Sequence, residues 1–134
     1  MSLDMYAEEL LNNYEHPKNK GKIADADISK HEDNVSCGDE LTIYLKLEGG
    51  KVKDVKFEGS GCVISMGTAS ILTDNVKGKT LKELEQMKKE DVLDLIGIDP
   101  GPVRLHCATL SLRAIKIGVL EHEKKPLTAD VREL

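Results

Sequence analysis

Two alternating runs set back to back constrain this chain more than anything else in it. In "LTIYLKLE", Leu41, Ile43, Leu45 and Leu47 fall on one side, and in "KVKDVKFEG" Val55 and Phe57 do the same, with Gly49–Gly50 between the runs. Period-two patterning around a glycine pair implies an antiparallel hairpin with one buried face. That face also selects the register. A two-residue loop, Gly49–Gly50, pairs Glu48 with Lys51 and sets Asp54 opposite Leu45. A three-residue loop of Gly49, Gly50 and Lys51 pairs Leu45 with Val55, Ile43 with Phe57 and Lys46 with Asp54. Mismatching a whole face is costly, so the three-residue loop is expected, with a glycine at positive φ.

Helical patterns surround the hairpin. "LDMYAEELLNNYE" is amphipathic, with Tyr6, Leu10 and Tyr14 on one stripe, Leu3 and Leu11 beside it, and Pro17 ending the run. "ADISKHEDN" suits a short edge strand. "VISMGTASILTDNVKG" mixes apolar and small residues, which predicts a helix packed closely on the sheet and ending near Gly78. "TLKE" has capping-box spacing from Thr80 to Glu83, and "KKEDVLDLIG" is a short helix stopped at Gly97. "IDPGPVRLH" reads as a stiff connection before a last helix, "CATLSLRAIKIGVLEH", opened by Cys107. No repeat, low-complexity tract or linker interrupts residues 1–134, so one α+β domain is expected: an antiparallel sheet packed against about five helices. Met1 to Leu3 read as an added start rather than native sequence.

Composition removes several function classes. The net charge of −5 and only four aromatics argue against a nucleic-acid surface, and no apolar run approaches a membrane span. The start "MSLDMYAEELL" lacks the basic-then-apolar order of a secretory signal, so a cytoplasmic location is expected. Three cysteines, an odd number, exclude a fully paired disulfide framework, and cytoplasmic thiols stay reduced.

Taken singly, a free cysteine is usually a small buried hydrophobe. Here all three stand at predicted junctions between loop and element. Cys37 lies in "VSCGDE" ahead of the first clear strand, Cys62 follows "GSG", and Cys107 follows "PVRLH". Two fall at predicted helix N-termini, where free N–H groups favour a thiolate. No CxxC occurs, so any site must be assembled by the fold. Asp39, two residues from Cys37, and His106, beside Cys107, are the candidate hard ligands. Three sulfurs with one oxygen or nitrogen suit zinc, or an iron–sulfur cluster with one weak ligand. A carboxylate is a poor match for cluster iron and should ease release, which suits a protein that hands clusters on.

The stretches "CGDE", "GSGCVISMGTASILT" and "PVRLHCATLSLRAI", with "NYEHPKNKG", resemble the iron–sulfur cluster assembly scaffold family of the IscU, SufU and NifU N-terminal type, from about Tyr6 to Val119. The resemblance implies a three-stranded antiparallel sheet. It implies a transient [2Fe–2S] cluster, or zinc, held by Cys37, Asp39, Cys62 and Cys107, with His106 able to substitute, and Cys107 as first persulfide acceptor. It implies as partners a cysteine desulfurase, recipient apo-proteins, an iron donor and an Hsp70-type chaperone. The chaperone-dependent branch carries Leu-Pro-Pro-Val-Lys before its third cysteine. Here that place holds Pro100, Gly101, Pro102, Val103 and Arg104, keeping only Pro102 and Val103. "GCVISM" looks more like the zinc-dependent branch, without that branch's longer segment between the second and third cysteines. A scaffold that is not a turnover enzyme is expected; a zinc-dependent sulfurtransferase uses the same residues, and a plain structural domain would leave the sulfurs well apart.

Overall fold

A computed structural model describes residues 3–134; Met1 and Ser2, and with them most of the expected added start, lie outside the described residues, as do the side chains of Leu3 and Asp4. The order is α1 (Leu3–Glu15), β1 (Ile28–Asn34), β2 (Asp39–Glu48), β3 (Lys51–Ser60), α2 (Val63–Val76), α3 (Leu81–Gln86), α4 (Lys89–Ile96), α5 (Gly101–His122) and α6 (Ala129–Arg132). The strands form one antiparallel sheet in the order β1-β2-β3. Leu41, Ile43 and Leu45 of β2, with Val55 and Phe57 of β3, turn one face inward and are fully buried. Leu72 and Val76 of α2 and Ala114, Ile115 and Val119 of α5 complete that core. The edge strand in "ADISKHEDN" is present as β1. Among the described residues, no helix is long and apolar enough to cross a membrane.

The hairpin corrects the loop and keeps the face. Leu45 pairs with Val55, Ile43 with Phe57 and Lys46 with Asp54, as expected. The turn itself has two residues, because Glu48 pairs with Lys51 around Gly49 (φ 61°) and Gly50 (φ 76°). Two successive positive φ values give the turn whose twist matches its strands. The register shifts between Lys46 and Leu47, leaving Lys53 as an extra residue on β3. A bulge thus reconciles a tight turn with a buried apolar face.

The helices bring further corrections. On α1 the Tyr6–Leu10–Tyr14 stripe packs only in part: Leu10 is buried and Tyr6 half-buried, while Tyr14, like the neighbouring Leu11, is exposed. Asn13 is buried beside Leu10, and its Oδ1 accepts from Ser70 Oγ at 2.7 Å. Tyr6 instead sits against Gly97, where a Cβ would fall 2.0 Å from its ring. The small residue that allows close approach on α2 serves α1 rather than the sheet, for a Cβ on Gly67 would lie 2.7 Å from Leu10 O. Thr80 and Glu83 form the expected capping box, and Gly97 ends α4 in the left-handed conformation. The expected stiff connection is the first turn and a half of α5, which begins at Gly101, with Pro102 in its first turn. Proline is tolerated there because its missing N–H has no intrahelical partner to lose. The α6 turn was not foreseen and makes six helices among the described residues.

Buried Lys116 ties these helices together. Its side chain is 2% exposed, and its Nζ donates to Met87 O after α3 and to Asp130 Oδ2 of α6, the latter at 2.7 Å. Lys116 first and the Thr128 hydroxyl second hold the Asp130 carboxyl down at about 2.

Candidate metal centre

The end of the sheet nearest α2 and α5 gathers the chemistry. Four turn residues join β1 to β2, and there Asn34 O accepts from the amides of Cys37 at 3.2 Å and Gly38 at 2.9 Å. Gly38 has φ 72°, a conformation glycine adopts freely, and it lets the chain reverse between Cys37 and Asp39. Asp39 opens β2 and is buried. One ligand atom from each of Cys37, Asp39 and Cys107 lies within 4.8 Å of the others, and the Cys37 and Cys107 sulfurs are 3.1 Å apart.

Cys62 joins through Asp39. Its amide donates to Asp39 Oδ1 at 2.9 Å, and its Sγ is 3.9 Å from Oδ2. This approach needs Gly61: a Cβ there would meet Asp39 Oδ1 and Ser65 Oγ at 2.5 Å. Cys62 caps α2, its Sγ accepting from the Ser65 amide at 3.5 Å. Burial opposes ionisation of this thiol and Asp39 adds to that. The Ser65 amide and hydroxyl and the Ile64 amide outweigh both, so its pKa falls below the ordinary thiol value.

Cys107 behaves oppositely. It stands inside α5 rather than at a helix start, and no side-chain surface is left exposed. Burial first, then hydrogen bonds with Cys37 and Asp39, then the charges of Cys62 and Asp39, push its thiol well above the ordinary value. The helix-start argument therefore holds for Cys62 and fails for Cys107. As folded, Cys107, the expected sulfur acceptor, is the only fully buried thiol of the three.

His106 points elsewhere. It is exposed and lies outside the Cys37–Asp39–Cys107 group, lining a groove with Asp33, Asn34 and Arg113. Three residues missing from the sequence reading of the site, or noted only as a motif departure, touch the sulfurs instead. Asn34 Nδ2 donates to Cys107 Sγ at 3.6 Å, and Ser65 contacts Cys62. Arg104, on the exposed first turn of α5, is held more firmly charged by Cys62 and then by Cys107. Tetrahedral bonds of about 2.3 Å place paired sulfurs roughly 3.8 Å apart. Two sulfurs and a carboxylate oxygen within 4.8 Å of one another therefore suit one small metal centre, and Cys62 Sγ, 3.9 Å from the other Asp39 oxygen, stands beside it as a candidate fourth donor. Cys37 and Cys107 are thus not left well apart, as a purely structural domain would leave them, and Cys62 is linked to them through Asp39.

Comparison with known proteins bears on the family. A family model described as the NifU-like N terminal domain matches residues 5–129. Over 136 aligned residues the chain is 36% identical to the zinc-dependent sulfurtransferase SufU of Bacillus subtilis, covering 89% of this chain and 92% of that protein. It is also 36% identical over 128 residues to the iron–sulfur cluster assembly scaffold protein IscU of Thermotoga maritima, covering 84% and 90%. Among solved structures, an iron–sulfur cluster assembly scaffold protein for the SUF system from Fervidobacterium islandicum superposes with a TM-score of 0.69. That pair is 28% identical, covering 88% of this chain and 99% of that one.

Proposed function

The chain belongs to the NifU-like N-terminal domain family, and from that premise we propose that it is a scaffold for a labile [2Fe–2S] cluster. The cluster is its cargo, put together from persulfide sulfur and iron and then passed to apo-proteins. The observation that carries this reading is the convergence of Cys37, Asp39 and Cys107, with Cys62 held to Asp39. Residues 1–134 act as one scaffold domain, with these four residues as ligands and His106 as a reserve outside the resting set.

Each residue has a distinct task. Cys62, half-exposed and favoured as thiolate, is the thiol a partner reaches without rearrangement. Cys37 rides on a turn whose tip, Val35, is 87% exposed. Cys107 serves as sulfur acceptor only after that turn lifts away from it. Asp39 is already committed to the Cys62 amide, so its second oxygen is a weak ligand shared between two tasks. Weak ligation favours release over storage. Arg104 offsets negative charge as thiolates accumulate. The partners are a cysteine desulfurase, recipient apo-proteins and an iron donor, in the reducing cytoplasm, with an Hsp70-type chaperone as an optional releasing partner.

A second reading has its own support. The zinc-dependent relative shares 36% identity, and Arg104 stands where the chaperone-dependent branch has lysine. Three sulfurs and one carboxylate are also a zinc donor set. Zinc, when bound, would keep the thiols deprotonated and oriented, and the chain would then accept sulfur without building a cluster. Anaerobic incubation with iron, cysteine and a desulfurase separates the two readings. A [2Fe–2S] chromophore transferable to apo-ferredoxin is the expected result. Tight zinc, faster desulfurase turnover and no chromophore would replace the scaffold by the sulfurtransferase.

A further inference from the structure

The outer edge of β3 is filled along most of its length by the protein's own chain. Phe57 donates to Asn19 O and accepts from Gly21 N, both at 2.8 Å, and Val52 is bonded in the same way by Gly78 and Lys79, both at 2.9 Å. Val55, lying between them, gives its amide to the Asp54 carboxylate at 2.9 Å. In an antiparallel ladder every second residue directs both backbone groups to the same side, so Gly59 shares this outward direction. Among the described residues, no partner takes either its N–H or its C=O. The open pair faces a groove of about 400 Å³ lined by Tyr14, Glu15, Pro17, Lys20, Gly61 and Met66.

We infer that the β3 edge at Gly59–Gly61 and this groove dock an extended, acidic, cysteine-bearing peptide of a partner protein. Four observations converge on that occupant. A ligand for Gly59 has to donate and accept at strand spacing, which is what an extended backbone does. Lys20 already pairs with Phe57 on the same edge through a single parallel bridge, so this edge accepts added backbone. Lys20, exposed at the rim 5.8 Å above the Phe57 ring, has no carboxylate within ion-pair distance among the described residues, so an acidic side chain complements it. The groove ends at Gly61, against Asp39 and next to Cys62, so the docked strand leads its cysteine to the thiol a partner reaches first. Only the cysteine rests on the proposed function; the docking stands on the open edge.

The probe is an acetylated Val-Asp-Val-Asp-Val-Cys amide added to the isotopically labelled, metal-free protein. Saturable shifts of the Gly59 and Gly61 amides are expected, with slower exchange of the Gly59 amide proton. Methylating the peptide nitrogen that faces Gly59 should weaken binding roughly fivefold, as expected for one lost hydrogen bond. Lys20→Glu should weaken this peptide and strengthen the version with Lys in place of Asp. Shifts that miss Gly59 and Gly61, or an N-methylated peptide that binds equally well, would overturn the docking site. The thiol arm is separate. With the peptide cysteine activated as a thionitrobenzoate mixed disulfide, the Cys62 thiolate attacks the peptide sulfur, forms the protein–peptide disulfide and expels thionitrobenzoate. Serine in place of the peptide cysteine should leave affinity unchanged. Docking without faster disulfide formation at Cys62 than a scrambled peptide gives would leave the groove standing and refute the delivery of a thiol.

Discussion

At the scale of single residues, Asp39 and the contrast between Cys62 and Cys107 decide the chemistry. Asp39 holds the Cys62 amide and faces three sulfurs, so Asp39→Ala should slow cluster handover to an apo-protein while cluster content holds or rises. Transfer kinetics followed by visible absorption check this, and faster transfer would deny the carboxylate its releasing role. The two thiols differ in charge as well as access. The Cys62 pKa is lowered, so its thiolate is populated further below the ordinary thiol range, while Cys107 stays protonated through neutral pH. Limiting iodoacetamide at neutral pH, read by peptide mass spectrometry on the metal-free protein, should therefore label Cys62 well before Cys107. Sequence alone singled out the four candidate ligands, because glycine beside cysteine and a carboxylate two residues away are visible as text. It did not mark Asn34, Ser65 or Arg104, which reach the sulfurs only through the turn, the α2 cap and the start of α5.

At the scale of elements, period-two patterning made β2 and β3 legible, and capping chemistry made α3 and the end of α4 so. The two-residue turn was hidden because a bulge at Lys53 repairs the register that such a turn would otherwise break. The start of α5 was hidden because Pro100, Gly101 and Pro102 look like a break, although proline fits a first helical turn. Four-residue α6 is too short to carry a period. Close packing gives a direct test: Gly67→Val should push α2 away from Leu10 O and lower stability by about 2 kcal/mol, measured by chemical denaturation. The α6 latch gives another. The folded Asp130 pKa, about 2, lies below its ordinary 3.8, so its contribution is fully present above about 3.8 and fades as pH falls toward 2. Asp130→Asn should cost roughly 1 kcal/mol at neutral pH, since the carboxylate is half exposed, and should flatten this acid limb of the stability curve.

At the scale of the whole molecule, one sheet face and two long helices carry the stability, leaving the open end of the sheet for chemistry. The buried strands fix Asp39, α2 fixes Cys62 and α5 fixes Cys107, while only Cys37 rides on a turn. Three candidate ligands on packed elements and one on a turn suit a site that must both hold and release. The account depends on Cys37, Asp39, Cys62 and Cys107 serving one centre, and cobalt(II) titration of the metal-free protein tests this most directly. One cobalt per chain is expected, with tetrahedral ligand-field bands and a thiolate charge-transfer band that loses about one third of its intensity in each of Cys37→Ser, Cys62→Ser and Cys107→Ser. A charge-transfer band unchanged by any one of these substitutions, or binding with no thiolate band at all, would contradict it.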